Sequence, residues 1–328
     1  MSEVFTLAIK TIAILTSGGD APGMNAAIRA IVRSAISNDI NVLGVRRGYN
    51  GLINSDVFEM NLRTVSDIIH RGGTILYTAR SPELKTPEGV FKAANVCKNL
   101  KIDCVVVIGG DGSFRGANAL VEAGVSCMGI PGTIDNDIAC SDYTIGFDTA
   151  MNTAMEMVDK IRDTAQSHDR CSVVEVMGRH CGDIALHTGI AVGAAAILIP
   201  EVEYNLERDV IEKIKFTQKI GKKHFIVIIA EGLKKANEVT EKIQKIMGIE
   251  SRATILGHVQ RGGSPTLRDR VVASEMGCYL VDLLAKGVKN KIIAVKKDRI
   301  IDLDINEAIN MKKEFNRSLY EKALKISI

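Results

Sequence analysis

Short apolar runs of strand length alternate along this chain with longer amphipathic stretches of helix length. Strands are predicted at residues 11–16, 105–109, 126–130, 171–176 and 225–230, and helices at 24–37, 146–163 and 268–285. This alternation predicts an α/β fold, in which mainly parallel sheets are covered by helices on both faces. Because ligands of such folds bind beyond the carboxyl ends of the strands, the loops that follow strands are the candidate functional sites.

Length and charge narrow the class of protein. The 328 residues are 46% hydrophobic, which allows a large core and favours two domains. The 42 basic and 39 acidic residues form no block of like charge, so we expect neither a nucleic-acid nor a membrane partner. The seven cysteines include no CxxC pair, which predicts reduced core thiols in a cytoplasmic protein. Residues 1–11 lack a secretion leader, and the apolar stretch 184–199 is predicted to be a buried helix followed by a strand.

Two glycine-rich loops each follow a predicted strand and precede a predicted helix, at residues 17–25 and 109–113. Glycine lets backbone N–H groups approach an anion at a helix N-terminus, although a tight turn explains the first loop equally well. In the second loop Asp111 stands among three glycines, as a ligand of Mg²⁺ or a partner of one of its ligands. Neither loop matches GxxxxGK[ST] or GxGxxG, so a P-loop NTPase and a Rossmann dehydrogenase both fit poorly.

A third loop, residues 131–137 with the sequence PGTIDND, carries two carboxylates two residues apart. An extended backbone would turn Asp135 and Asp137 to the same side. Phosphoryl transfer from ATP to an alcohol needs a carboxylate that accepts the hydroxyl proton, with a metal and cations to stabilise the developing charge. An acidic turn is the alternative, whereas an EF-hand is disfavoured because its glycine and its final glutamate are absent.

Single polar groups follow the remaining predicted strands. Arg179 follows 171–176, Glu231 follows 225–230, and His258 and Arg261 follow a further apolar run. Any one of these side chains is more often structural or solvated than functional. Their shared position at strand ends favours a common functional site.

Taken together, the loops at residues 17–25, 109–113, 131–137, 177–179 and 258–263 resemble those of the bacterial ATP-dependent 6-phosphofructokinase family. The resemblance extends from about residue 11 to the end of the chain, with the motifs in the family's order. It implies two similar three-layer domains with mainly parallel sheets covered by helices. The ATP-binding domain would comprise residues 1–140 plus about 257–305, and the fructose-6-phosphate-binding domain about 141–256 plus 306–328.

The resemblance also implies transfer of the γ-phosphoryl group of MgATP to the 1-hydroxyl of fructose 6-phosphate, which gives fructose 1,6-bisphosphate and ADP. In the family's pattern Asp135 is the catalytic base, Thr133 and Asp137 are further substrate-loop residues, and Arg179 is a cation near the transferring phosphoryl group. The implied ATP site consists of Gly19, Arg80, Ser81, Gly110, Asp111, Gly112 and Ser113, with Asp111 at the Mg²⁺ position.

The implied sugar-phosphate site contains Thr133, Asp135, Met177, Gly178, Arg179, Glu231, His258 and Arg261, aided by Arg170 and Arg252 reaching across from a neighbouring subunit. A site completed in this way implies an obligate oligomer, and the family is typically a homotetramer. An effector site for ADP or phosphoenolpyruvate is implied at Arg29, Arg33, Arg63, Arg162, Lys222 and Lys223. Two expected groups are replaced there, a carboxylate by Ala195 and a lysine by Ile220, so we expect an altered response.

The phosphoryl donor is indicated by Gly112 and Gly132. Pyrophosphate-dependent relatives usually carry aspartate and lysine at these two positions, and a side chain at the first would fill the space that the α-phosphate of ATP needs. Two glycines therefore favour ATP. Ser81 stands where the family often has an aromatic residue near adenine, which leaves the affinity for the base open.

Two rival interpretations keep many of the same residues. NAD kinases and lipid kinases also use a Gly-Gly-Asp-Gly loop on an α/β domain, but they lack the loops at 131–137 and 258–263. A catalytically silent regulatory subunit that binds nucleotide and sugar phosphate would be favoured by the loss of Asp135, Asp111 or Arg179. All three residues are present.

Overall fold

The computed structural model describes residues 9–327, and eleven strands and eleven α-helices lie within that range. The strands are β1 (Thr11–Ser17), β2 (Asn41–Val45), β3 (Val57–Met60), β4 (Cys104–Gly109), β5 (Cys127–Pro131), β6 (Cys171–Val176), β7 (Ala196–Leu198), β8 (Phe225–Ala230), β9 (Ser251–Ile255), β10 (Lys291–Lys296) and β11 (Arg299–Asp304). The helices are α1 (Met24–Ser37), α2 (Gly48–Ile53), α3 (Pro87–Asn99), α4 (Asp111–Glu122), α5 (Phe147–Ser167), α6 (Asp183–Ala191), α7 (Glu212–Lys219), α8 (Ala236–Met247), α9 (Leu267–Ala285), α10 (Ile305–Asn310) and α11 (Arg317–Ile326).

The chain forms two compact units. The first contains residues 9–134 together with Ile138–Asp148 and Arg261–Lys313, and the second contains Asp135–Asp137, Thr149–Gln260 and residues 314–327. Apart from Asp135–Asp137, the chain passes from one unit to the other near residues 148, 260 and 313. The sequence prediction placed these boundaries near residues 140, 256 and 305. Which ligand belongs to which unit stays a prediction.

The first unit is built on a seven-stranded sheet in the order β11-β10-β5-β4-β1-β2-β3. Its inner strands are parallel, and every residue of β4 is buried because helices cover both faces of the sheet. The edge strands β3 and β11 are antiparallel to their neighbours. In β11 the reversal follows from a two-residue turn, in which Lys297 and Asp298 both adopt the left-handed conformation that such hairpins require.

Helices α1 and α9 pack against one another in the first unit. A Cβ atom at Gly277 would lie 2.8 Å from the Cβ of Ala30, so glycine permits the close approach of the two helices. The buried face of α1 includes Met24, Ile28 and Ile31, which recur at helical spacing. This packing fixes where α1 begins, directly after the first glycine loop.

The second unit is built on a four-stranded, wholly parallel sheet in the order β7-β8-β6-β9. All six residues of β8 are buried. Its core contains Val173, Phe225, Ile229 and Ile243, contributed by strands and by α8. As in the first unit, the carboxyl ends of parallel strands gather at one edge of the sheet.

The strands and helices that were predicted from the sequence are present in the structure. The α/β class with mainly parallel sheets is confirmed, and the bounds of α1, β6 and β8 agree with the prediction. The apolar stretch 184–199 holds the helix α6 and the strand β7, as expected. All seven cysteines are free, but the prediction of core thiols is wrong for Cys278, which is exposed on α9. No α-helix within residues 9–327 is long and apolar enough to cross a membrane. The prediction that residues 1–11 lack a secretion leader falls largely on residues 1–8, outside the described range.

Candidate active site

The first glycine loop joins β1 to α1 in the first unit. Gly18 and Gly23 have φ angles of 90° and 106°, which residues with a side chain rarely adopt, so glycine is needed for the turn itself. A Cβ atom at Gly19 would lie 2.1 Å from Nη1 of Arg261, and this nitrogen donates to the carbonyl of Asp20 at 3.2 Å. The structure therefore brings together Gly19, predicted to bind ATP, and Arg261, predicted to bind the sugar phosphate.

A buried asparagine ties the segment 71–78 to this loop. Asn25 is 1% exposed, its Nδ2 donates to the carbonyl of Arg71 at 3.1 Å, and its Oδ1 accepts from the N–H of Ile75 at 2.8 Å. Thr78 Oγ1 donates to the carbonyl of Gly18 at 2.8 Å. No role was predicted for Asn25 from the sequence. The feature that could have indicated one is the presence of a polar residue on the apolar face of a helix.

Arg80 and Ser81 directly follow the tied segment. The Arg80 side chain is exposed, and its carbonyl accepts from Nδ2 of Asn50 at 3.1 Å. Ser81 Oγ accepts from the N–H of Leu84 at 3.4 Å, where a short 3-10 turn begins. Arg80 is thus held through its backbone carbonyl and Ser81 through its side-chain hydroxyl, while the arginine head group is exposed.

The second glycine loop joins β4 to α4, and the helix begins at Asp111 after Gly110. Ser113 is buried, and its Oγ donates to the carbonyl of Ser17 at 3.0 Å, which links the second glycine loop to the first. The hydroxyl of Tyr49 donates to the carbonyl of Ser113 at 2.6 Å. Burial raises the pKa of Tyr49 well above its ordinary value, so this donor keeps its proton. Tyr49 was not predicted, and no motif points to it.

Asp111 meets the requirements of a Mg²⁺ ligand shared with phosphate. Its carboxylate is 43% exposed at the start of α4, and Oδ2 lies 2.9 Å from Nε of Arg115. Mg²⁺ typically takes one or two protein carboxylates and completes its shell with phosphate oxygens and water. Within the described residues no group of three or more His, Cys, Asp or Glu side chains is arranged to hold a metal. The single accessible carboxylate of Asp111 fits a metal whose remaining ligands are phosphate oxygens and water.

The third loop does not have the extended backbone on which one prediction rested. Ile134 and Asp135 form a turn, and Asn136 has a left-handed φ of 50°, which asparagine tolerates better than most residues. The expectation that Asp135 and Asp137 face the same side of an extended strand is therefore wrong. Asp135 is 6% exposed, and Asn136 Nδ2 donates to Oδ2 of Asp183 at 2.8 Å.

Arg179, Asp137 and Glu231 come together in the second unit. The backbone N–H of Arg179 donates to Oε1 of Glu231 at 2.7 Å, and its Nη1 lies 3.8 Å from Oδ2 of Asp137. Preceding it, Gly178 has a φ of 137°, and a Cβ atom there would lie 2.3 Å from the carbonyl of Cys181. Only glycine fits at that position. The tight turn that it permits holds Arg179 at the end of β6, with a side chain that is 64% exposed.

Gln260 organises the segment between β9 and α9. It is fully buried, and its Oε1 accepts from the N–H of Met177 at 3.2 Å while Nε2 donates to the carbonyl of Gly257 at 3.1 Å. The neighbours His258 and Arg261 were predicted from the sequence, but Gln260 was not. The role of Gln260 depends on its hydrogen bond with Met177, which is distant along the chain. His258 is exposed in the 3-10 turn that contains Gln260.

Arg170 and Arg252 are brought together by an unpredicted carboxylate. Oε2 of Glu250 lies 2.8 Å from Nε of Arg170, and Oε1 lies 2.7 Å from Nη2 of Arg252. Hydrogen bonds from Arg170 and then from Arg252 lower the pKa of Glu250 below its ordinary value. Glu250 therefore holds the two predicted sugar-phosphate cations as a pair.

The predicted effector cations are distributed over both units. Arg29 and Arg33 lie on α1 and Arg63 is exposed in the first unit, whereas Arg162, Lys222 and Lys223 belong to the second. Arg162 donates through Nη2 to the carbonyl of Val192. Burial, followed by the charge of Arg162, lowers the pKa of Lys222. At the two replaced positions, Ala195 is buried in the core and Ile220 is exposed.

We predict that Glu175→Gln stabilises the protein at neutral pH. Burial and then the charge of Glu231 raise the pKa of Glu175, which lies on β6, above its ordinary value of 4.5. The folded state therefore retains this proton longer than the unfolded state, and stability falls as pH rises from 4.5 through the raised pKa. The variant should gain unfolding free energy over wild type progressively across that window, measured by urea unfolding at several pH values. A gain independent of pH would contradict this origin.

A sequence model described as phosphofructokinase matches residues 11–284 of the chain. The chain is 55% identical over 98% of its length to an ATP-dependent 6-phosphofructokinase of Clostridioides difficile, and 54% identical over 97% to one of Clostridium botulinum. Both curated relatives are covered over 100% of their length. These matches confirm the family resemblance found in the loops, and they give no support to the NAD-kinase and lipid-kinase interpretations.

Solved structures agree with this result. A phosphofructokinase of Saccharomyces cerevisiae is similar with a TM-score of 0.87 and 36% identity, and the match covers 97% of this chain and 48% of the yeast chain. A pyrophosphate-dependent phosphofructokinase of Marinobacter aquaeolei, with a TM-score of 0.84, covers 94% of this chain and 86% of its own, and at 21% identity it shows the fold alone. The chain belongs to the phosphofructokinase family.

Proposed function

We propose that this chain transfers the γ-phosphoryl group of ATP to the 1-hydroxyl of fructose 6-phosphate, giving fructose 1,6-bisphosphate and ADP in glycolysis. The observation that carries this proposal is the pair of glycine loops after the adjacent strands β1 and β4, linked by the hydrogen bond from Ser113 Oγ to the Ser17 carbonyl. Backbone N–H groups at such loops bind phosphate oxygens. The names of the full-length relatives, at 54% to 55% identity, support the same donor and acceptor.

Nucleotide binding is assigned to the first unit. Gly19, Arg80, Ser81, Gly110, Asp111, Gly112 and Ser113 would contact ATP. An ATP-dependent kinase requires a divalent metal. We assign this role to Mg²⁺, which Asp111 would hold and which would neutralise negative charge on the phosphates. Arg115, whose Nε lies 2.9 Å from the carboxylate, would keep Asp111 oriented before the metal arrives.

Proton transfer is assigned to Asp135, with Thr133 and Asp137 as further residues of the substrate loop. Asp135 is buried, and this burial restricts the positions that the carboxylate proposed to accept the hydroxyl proton can adopt. Arg179 would place its exposed guanidinium near the transferring phosphoryl group, because its backbone is fixed by Glu231. Developing charge would then be stabilised by a cation set in advance.

Sugar-phosphate binding would involve Met177, Gly178, Arg179, Glu231, His258 and Arg261, together with Arg170 and Arg252 reaching across from a neighbouring subunit. The shared carboxylate of Glu250 keeps Arg170 and Arg252 as a pair, which suits a phosphate that accepts several hydrogen bonds. A site completed by a neighbouring subunit would require an oligomer, and a homotetramer is the form we propose. We further propose a cytoplasmic location, consistent with seven free cysteines.

We predict that Asp135→Ser lowers kcat for fructose 1,6-bisphosphate formation by about 10² to 10⁴-fold, because the lost base acts in the transition state. An assay coupled to product formation gives kcat, and calorimetry gives the affinity for fructose 6-phosphate, which should change little. Asp282→Ser on the exposed face of α9 is the control and should keep full activity. A loss confined to substrate affinity would remove Asp135 from the base role, and a wild-type protein without activity would refute the proposed function.

The two donor glycines differ in their surroundings. A Cβ atom at Gly112 would meet nothing within 4 Å, whereas one at Gly132 would lie 3.0 Å from Cγ2 of Ile108 and 3.2 Å from Cε of Met24. Open space at Gly112 is volume that a ligand can occupy. At Gly132 the space is already partly filled by these two side chains, so Gly112 carries most of the structural argument for ATP.

We predict that Gly112→Asp lowers kcat/KM for ATP about 100-fold, equal to about 2.7 kcal/mol, since the new carboxylate would occupy space next to a bound phosphate and repel it. The φ angle at Gly112 is outside the left-handed region, so the fold should tolerate the change. Gly112→Ala is the matched control, because it adds volume without charge and should cost much less. Pyrophosphate activity without ATP activity in the wild-type protein would overturn the donor assignment.

An effector site is proposed at Arg29, Arg33, Arg63, Arg162, Lys222 and Lys223, for ADP or phosphoenolpyruvate. The positive charges of Lys222 and Arg162 repel one another, and a bound anion would relieve this repulsion. Ala195 and Ile220 supply neither a metal-binding carboxylate nor a further cation, so the response should depend more heavily on the remaining cations.

We predict that Lys222→Gln weakens the effect of whichever anion, ADP or phosphoenolpyruvate, alters the rate when each is titrated separately. Because the pKa of Lys222 is lowered from 10.5, its charge is lost earlier as pH rises, and the wild-type effect should decline toward alkaline pH. Lys245→Gln, at an exposed position on α8, serves as the control. An unchanged response in the Lys222 variant would exclude this site.

A further inference from the structure

Asp269 is a fully buried carboxylate in the first turn of α9, outside all of the predicted site residues. Its Oδ1 accepts a hydrogen bond from the hydroxyl of Tyr143 and another, at 2.7 Å, from the N–H of Gly146. A buried carboxylate is costly unless such donors satisfy it. Both donors lie at the two ends of one short segment, residues 143–146, which Asp269 therefore clamps.

This clamped segment in turn supports the loop that begins after β5. Thr144 Oγ1 donates to the carbonyl of Thr133 at 2.6 Å, and the N–H of Ile145 donates to the carbonyl of Pro131 at 3.0 Å. Gly132 and Ile145 form an isolated parallel bridge. Residues 131–133, at the start of the substrate loop, are thus held by Thr144 and Ile145.

Packing leaves the clamped segment little room to move. Gly146 has a φ of 102°, and a Cβ atom there would lie 2.7 Å from the Cβ of Ala21. A Cβ atom at Gly23 would lie 2.6 Å from Cγ2 of Ile145 and 3.5 Å from the Cβ of Asp269. The segment is therefore enclosed between α9 and the first glycine loop, and a change in its hydrogen bonds is passed to its neighbours.

Burial and charge keep Tyr143, one of the two donors of the clamp, protonated. Burial, and next the charge of Asp269, raises the pKa of Tyr143 above its ordinary value, so the phenol keeps its proton. The guanidinium of Arg268 lies over the Tyr143 ring, 4.6 Å from its centroid. A phenol that donates to a carboxylate makes a charge-assisted hydrogen bond, which is stronger than a neutral one.

We propose that Asp269 is a positioning residue for phosphoryl transfer, which acts through Tyr143 and residues 144–146 to fix the loop leading into Thr133 and Asp135. This inference rests on the proposed function, because the loop matters only if those residues carry the chemistry. Asp269 touches neither substrate in this role. It sets the position of a loop whose small displacement lowers the rate more than it lowers substrate affinity.

Tyr143→Phe is the first test, since it removes one hydrogen bond and keeps the ring. We expect kcat to fall about tenfold, with KM for ATP and for fructose 6-phosphate within about twofold of wild type. Tyr279→Phe is the matched control in the same unit, because the Tyr279 hydroxyl donates to Oδ1 of Asp302 at 2.8 Å, away from the loop. It should keep kcat, and it should lose less stability than Tyr143→Phe because Tyr279 is half-buried whereas Tyr143 and Asp269 are buried.

A second pair of variants tests the next link. Thr144→Val removes the donor to the Thr133 carbonyl at nearly constant volume and should lower kcat, whereas Thr144→Ser keeps the hydroxyl and should restore most of it. Hydrogen exchange of a peptide covering residues 131–137 supplies a readout independent of activity. Exchange should be faster in Tyr143→Phe and Thr144→Val than in wild type or Tyr279→Phe.

The outcomes separate this inference from the proposed function. An inactive wild-type protein would refute the proposed function, and exchange at residues 131–137 would still report whether Asp269 and Tyr143 hold the loop. Equal kcat losses in Tyr143→Phe and Tyr279→Phe, changes in KM alone, or unchanged exchange in Tyr143→Phe would each overturn the positioning role. Because Asp269→Asn can fail to fold, the conclusion depends on the Tyr143 and Thr144 variants.

Discussion

Parallel pairing of β1 with β4 runs in register from Ile12 opposite Cys104 to Ser17 opposite Gly109, and it brings two glycine loops to the same edge of one sheet. Parallel strands require helical crossovers, so each loop also leads directly into a helix. The edge of the first unit that we propose to bind phosphate is thus a consequence of strand pairing before any particular side chain is considered.

Buried polar side chains then fix those loops. Asn25, Ser113, Gln260 and Asp269 are each removed from water, and each bonds to backbone groups far away along the chain. Their desolvation is offset only when the partner is in place, so these residues favour a single loop geometry. A loop held by such bonds is ready to bind before its ligand arrives, which lowers the entropy lost on binding.

Local patterns in the sequence predicted what depends on local physics. The helix α1 and the strands β6 and β8 follow from apolar periodicity and flanking glycines, and their bounds were correct. The left-handed turn at Asn136, the exposure of Cys278 and the clamp at Asp269 were not predicted. Each of these depends on contacts between residues distant in the sequence, and a buried aspartate on a helix has the same local pattern as an exposed one.

Gly112 and Gly132 show why a motif needs its surroundings before it supports a function. Both glycines are the same sequence signal for ATP, yet the Cβ direction is open at Gly112 and filled by Ile108 and Met24 at Gly132. A side chain at the second position would require Ile108 and Met24 to shift by a few tenths of an ångström. The effect of a lysine there on the choice of donor therefore depends on how readily these two side chains move, whereas a side chain at Gly112 needs no such adjustment.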